Sequence, residues 1–209
     1  MTVRVLPYGP GGWLAEVDAA NVVGFAATVR RRADPEIAEV VPAARTVMVR
    51  LADPNDARAR DAVASWLADI VPEPPARVGA GEAVEIPVIY DGDDLADVAA
   101  ACDLSVEEVV ALHAAPTYVC AFCGFAPGFA YLTGVDERLV LPRRSTPRTR
   151  VPAGSVAIAS EYSAVYPSPS PGGWHLLGRT DLVLWDPSRC RPATVVPGST
   201  VRFVALARP

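Results

Sequence analysis

The sequence predicts an α+β protein of two domains, an N-terminal α/β domain over residues 1–83 and a β-barrel domain over residues 84–209. Three observations support this prediction. Strand-like and helix-like segments alternate up to about residue 70, and a stretch rich in Pro and Gly follows at 72–81. Beyond residue 118, Pro and Gly recur every few residues and no helical period is found. A chain of 209 residues, 51% of them hydrophobic, is long enough to bury a sizeable core.

The N-terminal domain is predicted to follow the order strand, strand, helix, strand, strand, helix. We expect strands at 3–8, 13–17, 37–41 and 46–51, and helices at 21–32 and 53–70. Together with a further strand at 84–90, this order resembles a small ferredoxin-like α/β sandwich.

Two short helices are predicted next, at 95–101 and 106–115. Asp94 is expected to cap the first, and Ser105 with Glu108 forms a capping box for the second. Their apolar spacing is also that of a helix-turn-helix. However, residues 94–113 hold five acidic residues and no Arg, so they cannot neutralise DNA phosphates. We therefore expect a helical hairpin packed on the barrel and no nucleic-acid partner.

The charged residues exclude several kinds of chemistry. All 19 basic residues are Arg, so the chain holds no Schiff-base, pyridoxal-phosphate or biotinyl lysine and no Walker-type phosphate loop. Residues 1–119 carry 9 Arg and 19 acidic residues, whereas residues 120–209 carry 10 Arg and 5 acidic residues, so the second part can attract anions. With no apolar run of ~18 residues and no leader pattern, we expect a cytoplasmic protein without a membrane partner.

Cys120 and Cys123 form a Cys-x-x-Cys pair inside the apolar, strand-like run 118–125. On a regular strand, positions three apart face opposite sides of the sheet. A closed zinc site needs about four ligands, and this pair stands alone. We therefore interpret both cysteines as buried small hydrophobes and predict no metal site.

The densest basic segment is 142–152, which carries Arg143, Arg144, Arg148 and Arg150 among prolines. Pro stiffens such a loop, and guanidinium groups on it can present two donors each to a carboxylate or phosphate. A solvated surface loop is an equally good interpretation of the pattern alone.

The segment 167–174 ends in paired glycines followed by Trp174. The backbone N–H groups of Gly172 and Gly173 can hold an oxyanion, although a tight turn into a strand also explains them. The two histidines, His113 and His175, are each more often structural than catalytic at such positions. No nucleophile elbow, zinc-protease motif or nucleotide fingerprint is present.

Several segments are similar to the motifs of one family. They are RVLPYG at 4–9, GFAPGFAYL at 124–132, PR…PR…VPAGSV over 142–156, YP with SPGGW over 166–174, and GRT at 178–180. On these motifs, which span essentially the whole chain, it is identified as a member of the family that includes allophanate hydrolase subunit 1, the B subunit of 5-oxoprolinase and Kip-type kinase inhibitors. One segment departs from the family pattern. Residues 162–165 are Tyr-Ser-Ala-Val where the family usually has Gln-Thr-Gly-Ile.

The resemblance implies a cyclophilin-like β-barrel, a carboxyltransferase-domain subunit, behind the α/β domain. It implies a subunit of a heteromeric ATP-dependent amidohydrolase, with 5-oxoprolinase, which opens 5-oxoproline to glutamate, as the first hypothesis. The implied partners are the cognate allophanate hydrolase subunit 2, which corresponds to the C subunit of 5-oxoprolinase, and a third 5-oxoprolinase subunit. ATP is expected to be bound by or with a partner, and this chain alone is expected to be inactive.

On that hypothesis the site needs cations for a substrate carboxylate and phosphoryl oxygens, neutral donors, and walls that exclude water. The predicted catalytic residues are His113, Arg148 and Arg179. The predicted substrate-binding residues are Phe129, Tyr131, Arg143, Ser155, Tyr166, Gly172, Gly173 and Trp174.

A second hypothesis comes from another functional class. The barrel could be a regulatory module that docks on a sensor histidine kinase and blocks phosphotransfer without chemistry, since exposed aromatics and Pro-rich loops suit docking too. Prolyl isomerisation is a third, suggested only by the implied fold. The substrate also stays open among 5-oxoproline, allophanate and other small amides.

Overall fold

The computed structural model describes residues 3–72 and 83–207. The chain divides into two compact units, Met1–Val78 and Gly79–Pro209. Most of the predicted break at 72–81 lies outside the described residues, so the domain boundary at 83/84 stays a prediction.

The N-terminal unit is one antiparallel sheet with two helices. The strands lie in the order β1-β2-β4-β3. The elements are β1 Arg4–Pro7, β2 Gly12–Glu16, α1 Val22–Arg31, β3 Ile37–Pro42, β4 Thr46–Leu51 and α2 Ala57–Ala68. All six were predicted from the sequence, with ends that differ by a few residues. The helix α2 begins later than expected because Asp56 is its N-cap, and its carboxylate accepts a hydrogen bond of 2.9 Å from the Ala59 N–H.

One apolar cluster joins the sheet to both helices. Phe25 and Val29 on α1 and Leu67 on α2 pack with Val47 and Val49 of β4, and all five are buried. The mixed α/β architecture is therefore confirmed, whereas the ferredoxin-like assignment stays a prediction.

The second unit is a seven-stranded sheet that curves into a nearly closed barrel. Its order is β12-β9-β10-β7-β6-β13-β5, and only the pair β13–β5 is parallel among its named strand pairs. The strands are β5 Val84–Val88, β6 Tyr118–Cys123, β7 Ala130–Thr133, β9 Ser155–Ala159, β10 Tyr162–Val165, β12 His175–Arg179 and β13 Thr200–Ala205. Ile89, just after β5, exchanges two backbone hydrogen bonds of 2.9 Å with Arg179 of β12, which brings the sheet edges together. This barrel-like sheet is compatible with a cyclophilin-like barrel.

Strand β9 is buried along its whole length because both of its faces are covered. Val156 and Ile158 point into the barrel core, whereas Ala157 and Ala159 belong to a second cluster on the outer face. A separate two-stranded ribbon, β8 Arg148–Val151 with β11 Ser170–Gly172, contributes Val151 to that outer cluster. The outer face carries the candidate site.

The two predicted helices are present as α3 Leu95–Ala101 and α4 Val106–Ala114, and they pack on the barrel. The capping box of α4 is confirmed: Ser105 Oγ accepts from the Glu108 N–H at 3.1 Å, and the Glu108 carboxylate accepts from the Ser105 N–H at 2.7 Å. The prediction for Asp94 is wrong in part, because it occupies the N-cap position of α3 but its side chain makes no capping bond. In the described ranges, no helix combines the length and apolarity needed to cross a membrane.

Candidate functional site

Four of the predicted site residues form an aromatic cluster on the outer face of the barrel: Phe129, Tyr131, Tyr166 and Trp174. Their rings meet edge to face, with the centroid of Phe129 at 5.1 Å from Tyr131, 5.3 Å from Tyr166 and 5.5 Å from Trp174. Edge-to-face packing lets each ring edge meet the electron-rich face of its neighbour. The small alanines of β9 and β10 lie in the same cluster as these rings and leave room for them on the sheet.

The loop 124–129 bounds this cluster and is held in a strained conformation. The Gly124 N–H donates to the Phe129 carbonyl at 3.1 Å, which closes the loop. Phe125 has a φ of 72° and its side chain is 61% exposed, although its ring lies 5.3 Å from Phe129. A bulky residue in the left-handed region costs about 1–3 kcal/mol, and such strain concentrates at ligand sites. Gly128 has a φ of 82°, and a side chain there would collide with Trp185.

The Tyr166 hydroxyl is where the aromatic cluster meets polar groups. Burial raises its pKa, while a hydrogen bond from the Trp174 backbone and the charges of Arg143 and Arg148 oppose that shift. Gly172 lies directly against this hydroxyl, since a Cβ at that position would overlap it. The Gly-Gly motif is therefore explained at Gly172 by a close approach to a side chain.

Arg144 and Arg148 converge on one buried carboxylate, that of Asp94. Arg148 binds it with two hydrogen bonds of 2.9 and 2.8 Å, Arg144 donates a third, and the Leu176 N–H adds a bond of 2.8 Å. Burial alone would raise the pKa of Asp94, but the bond from Arg148, the Leu176 N–H and the charges of both arginines together lower it. We call this group the Asp94 clamp. It fixes the arginine-rich segment to the start of α3.

Arg143 differs from its neighbours because its side chain is exposed and forms no ion pair within the described residues. Its charge acts on the hydroxyls of both Tyr131 and Tyr166, where it opposes the rise in pKa that burial causes. Of the predicted arginines, Arg143 is thus the one without an ion pair among the described residues, and we call it the free cation of the aromatic cluster.

Two further nitrogen atoms near the Gly-Gly segment lack partners in the described part of the chain. They are the buried Nε of Arg144 and the buried Nδ1 of His175. Other atoms of the same two residues are paired. The backbone N–H of Arg144 donates to the Gly173 carbonyl at 2.8 Å, and His175 Nε2 donates to the Pro142 carbonyl at 2.9 Å. Buried polar atoms in native proteins are almost always paired, so these two atoms keep hydrogen-bonding capacity that the described residues do not use.

Ser155 and Arg179 lie side by side in the register of β9 and β12. Ser155 is buried, and its carbonyl accepts from the Tyr166 N–H at 2.9 Å. The Arg179 guanidinium pairs with Asp91 at 2.9 Å, at the seam where β5 and β12 approach, and it is half exposed. The structure therefore links Ser155 to the cluster through the backbone, whereas the recorded side-chain contact of Arg179 is to Asp91.

His113 lies inside the barrel, with 0% of its surface exposed. The hydroxyl of Ser163 donates to the Ala157 carbonyl at 3.3 Å, so its oxygen accepts from His113 Nε2 at 2.9 Å. The other ring nitrogen, Nδ1, accepts from the Tyr90 hydroxyl at 2.8 Å. Burial lowers the pKa of His113 to about 3. The ring is neutral at physiological pH and lies on the opposite face of the sheet from the aromatic cluster.

The structure also contains site residues that the sequence interpretation missed. Asp94 was assigned only a capping role, although an acidic residue opposite an arginine-rich segment was a signal that could have identified it. Phe122 stacks on Tyr131 at 4.2 Å, and Tyr162 meets both rings edge to face. Tyr162 stands where the family usually has Gln, so this departure adds another aromatic wall.

The expectation that Cys120 and Cys123 face opposite sides is wrong. Their sulfur atoms lie 3.7 Å apart because a bulge in β6 shifts the register between them. Cys120 is nonetheless buried in the core, as predicted. Within residues 3–72 and 83–207, no group of three or more potential ligands could hold a metal ion.

Comparison with known proteins identifies the family. Residues 3–195 match the family described as carboxyltransferase domain, subdomain C and D. The chain belongs to this family. It is 44% identical over 177 residues to the 5-oxoprolinase B subunit of Escherichia coli O157:H7, a match that covers 81% of this chain and 78% of the relative. It is 45% identical to the protein of the same name from Haemophilus influenzae, over 59% of this chain and 60% of the relative. The resemblance found in the sequence is confirmed.

Solved structures share the fold. TTHA0988 superposes with a TM-score of 0.80 at 36% identity, over 99% of this chain but only 41% of the other. The Pyrococcus horikoshii protein PH0987 superposes with a TM-score of 0.59 at 37% identity, over 97% of both chains. The Kluyveromyces lactis urea amidolyase, at 18% identity and a TM-score of 0.71, is similar in fold.

Proposed function

We propose that this chain is one subunit of a heteromeric, ATP-dependent amidohydrolase, and specifically of a 5-oxoprolinase. The observation that carries the proposal is the 44% identity, over 81% of the chain, to the 5-oxoprolinase B subunit of Escherichia coli O157:H7. On this proposal the cognate second subunit and a third subunit complete the enzyme, ATP is bound with a partner, and this chain alone is inactive.

The chemistry of the outer face suits such a substrate. 5-Oxoproline carries a carboxylate on a small, flat ring, and Arg143 is a free guanidinium beside an aromatic wall. We assign the substrate carboxylate to Arg143, because an arginine can offer two donors to a carboxylate. Phe129, Tyr131, Tyr166 and Trp174 would pack on the ring and exclude water.

The other predicted residues take supporting roles in this proposal. Arg148 keeps positive charge near the Tyr166 hydroxyl while the Asp94 clamp holds it in place. Gly172, Gly173 and Ser155 shape and support the polar edge of the aromatic cluster, and Arg179 acts on phosphoryl oxygens when the partner is bound. His113 orients Ser163 and through it strand β10, a positioning role rather than proton transfer.

The architecture enters the proposal too. We assign the seven-stranded barrel to the cyclophilin-like class and the N-terminal unit to the ferredoxin-like class. The ferredoxin-like assignment is supported by the N-terminal sheet. The elements β2, α1, β3 and β4 follow one another along the chain, and their strands lie antiparallel in the sheet in the order β2-β4-β3. The hairpin partner β1 then fills the fourth strand position.

The test is a reconstitution with the cognate second and third subunits. We expect 5-oxoproline to stimulate ATP hydrolysis only when all subunits are present. Arg143→Ala should raise the KM for 5-oxoproline at least about tenfold, because one charge-assisted interaction is lost. The matched control is Arg150→Ala, which removes another exposed arginine of the same segment.

Two outcomes would contradict this proposal. No stimulated hydrolysis with the complete set of subunits would remove the enzyme assignment, and specific binding to a sensor histidine kinase would then favour the regulatory alternative. Equal KM changes in Arg143→Ala and Arg150→Ala would contradict only the assignment of the substrate carboxylate to Arg143.

A further inference from the structure

Cys120 and Cys123 lie on the same face of strand β6, although they are three residues apart. The register explains this: Cys120 pairs with Leu132 and Cys123 pairs with Ala130, so a separation of three residues on β6 matches two residues on β7. The extra residue is accommodated in a β-bulge between Cys120 and Phe122. Both side chains therefore point to the same face of the sheet, as the side chains of residues two positions apart do on a regular strand.

The two thiols are in direct contact. Their sulfur atoms are 3.7 Å apart, and both are free cysteines. Cys120 is fully buried, whereas Cys123 is only partly buried. In the described part of the chain no third ligand joins them, so a metal site does not explain the pair.

We propose that Cys120 and Cys123 are a redox modification site that forms a reversible intrachain disulfide with a small hydroperoxide as the oxidant. The Cys123 thiolate attacks the peroxide oxygen, the O–O bond breaks, and an alcohol or water leaves while Cys123 becomes a sulfenic acid. The Cys120 sulfur then displaces the hydroxyl from Cys123, which leaves as water with the Cys120 proton. Two electrons pass in total from the two sulfurs to the peroxide.

The local environment supports this order of events. A hydrogen bond from Cys120 lowers the pKa of the Cys123 thiol, and the same bond together with burial raises the pKa of Cys120. The thiolate is the nucleophilic form, so the more exposed cysteine is also the more reactive one. The buried cysteine is then in place as the resolving thiol.

A disulfide here would act on the candidate site. The sulfur atoms must move from 3.7 Å to about 2.05 Å, which pulls the bulge tighter. Phe122 directly follows that bulge and stacks on Tyr131, and Gly124, whose N–H closes the loop 124–129, follows Cys123 directly. Oxidation should therefore loosen this loop.

The first experiment counts thiols in a Cys102→Ser, Cys190→Ser double variant, which leaves only the pair. We expect hydrogen peroxide treatment of the folded protein to remove both thiols, as counted by alkylation in urea, which exposes the buried Cys120, with the loss of two hydrogen atoms by mass spectrometry and full recovery with dithiothreitol. The inference is overturned if both thiols of the folded protein stay alkylatable under conditions that oxidise the urea-unfolded protein, or if the disulfides link separate chains.

The second experiment separates the roles of the two cysteines and tests the effect on the loop. In the same background, Cys120→Ala should trap a sulfenic acid at Cys123 that a 1,3-dicarbonyl probe labels, and Cys123→Ala should leave Cys120 unlabelled. Oxidation should also speed amide hydrogen exchange at Gly124 in the paired protein and not in either alanine variant. Labelling of Cys120 instead, or unchanged exchange after disulfide formation, would contradict the order of attack or the link to the loop. No substrate is needed, so failure here leaves the proposed function untouched.

Discussion

A buried polar group lies against each face of the sheet formed by β9 and β10, and the two groups differ in how completely they are paired. On the inner face, His113 binds Tyr90 and Ser163 through its ring, and Tyr118 donates to its carbonyl at 2.8 Å. On the outer face, the Tyr166 hydroxyl lies among Arg143, Arg148 and the Trp174 backbone, and two nearby nitrogen atoms have no partner among the described residues.

The difference indicates two different roles. A polar network in which every member is bonded within the protein stabilises one arrangement of the core and has no capacity for a ligand. A site with a free cation and a strained, exposed Phe125 keeps that capacity at some cost in stability. The catalytic prediction for His113 drew on residue type and predicted position at a helix end, neither of which distinguishes the two faces of a sheet.

The largest effect on the outer face should come from Asp94→Ala. Two arginines would lose the carboxylate that they share, and breaking a buried ion pair costs about 3–5 kcal/mol. Urea denaturation would measure the loss in the free energy of unfolding. Asp93→Ala is the control. The Asp93 side chain is 78% exposed, and its nearest carboxylate oxygen lies as far as 3.9 Å from the Arg148 guanidinium, so its loss should cost less than about 1 kcal/mol.

The same clamp predicts a loss of stability in acid. The pKa of Asp94 is lower in the folded protein than its unfolded value of about 3.9. The unfolded state therefore takes up the proton first, so the contribution of the clamp to stability is fully present above about pH 4 and falls as the pH drops through the folded pKa. Asp94→Asn should flatten this part of the curve, and an unchanged acid limb would contradict the clamp.

On the inner face, His113→Gln should lower the free energy of unfolding by about 2–3 kcal/mol, because the hydroxyls that bind the ring lose their partner. The ring also predicts a pH dependence. The unfolded histidine binds a proton near pH 6.5, whereas the folded one does so only near pH 3. The contribution of the neutral His113 ring to stability should therefore be full above about pH 6.5 and decline as the pH falls from there towards 3.

Denaturation midpoints measured across that range would check this prediction, with His175→Gln as the matched variant. A slope that survives in His113→Gln would mean that another group titrates there.

A smaller effect is expected from Gly172→Ala, at about 1–2 kcal/mol, because the new methyl group displaces the Tyr166 hydroxyl. Gly173→Ala is the control, since its Cβ would lie at ordinary contact distances of 3.5 Å or more. Adding Tyr166→Phe removes the colliding oxygen and should recover much of the loss, as a double-mutant cycle of unfolding free energies would measure. If the effects of the two substitutions on the free energy of unfolding simply add, the contact between position 172 and the Tyr166 hydroxyl is contradicted.

The smallest change in stability is expected from Arg179→Ala, below about 1 kcal/mol, because the Arg179–Asp91 pair is half exposed. In the reconstituted enzyme, the proposed role on phosphoryl oxygens predicts a lower kcat with an unchanged KM for 5-oxoproline. Asp91→Ala breaks the same ion pair and should retain kcat. A full kcat in Arg179→Ala would remove this residue from the site.

Local features were predictable from the sequence because their causes lie within a few residues. The sequence identified the capping box of Ser105 and Glu108 and the two helices α3 and α4 in this way. It also identified all six elements of the N-terminal unit. The four residues of the aromatic cluster came from the family motifs, and the structure brings them together on the outer face. These features depend on periodicity, turn residues and contiguous motifs, which can be identified along the chain.

Other features depended on contacts between distant residues. Asp94 and Arg148 are 54 positions apart, and only the closure of the barrel brings that carboxylate to the arginines instead of to its own helix. Likewise, one extra residue in β6 places Cys123 on the face of Cys120, because pairing with β7 sets the register. The sequence by itself determined which residues form helices and strands and which side chains can do chemistry. Only the tertiary structure decided which of these side chains share a face of the sheet, because that depends on strand register and on partners far along the chain.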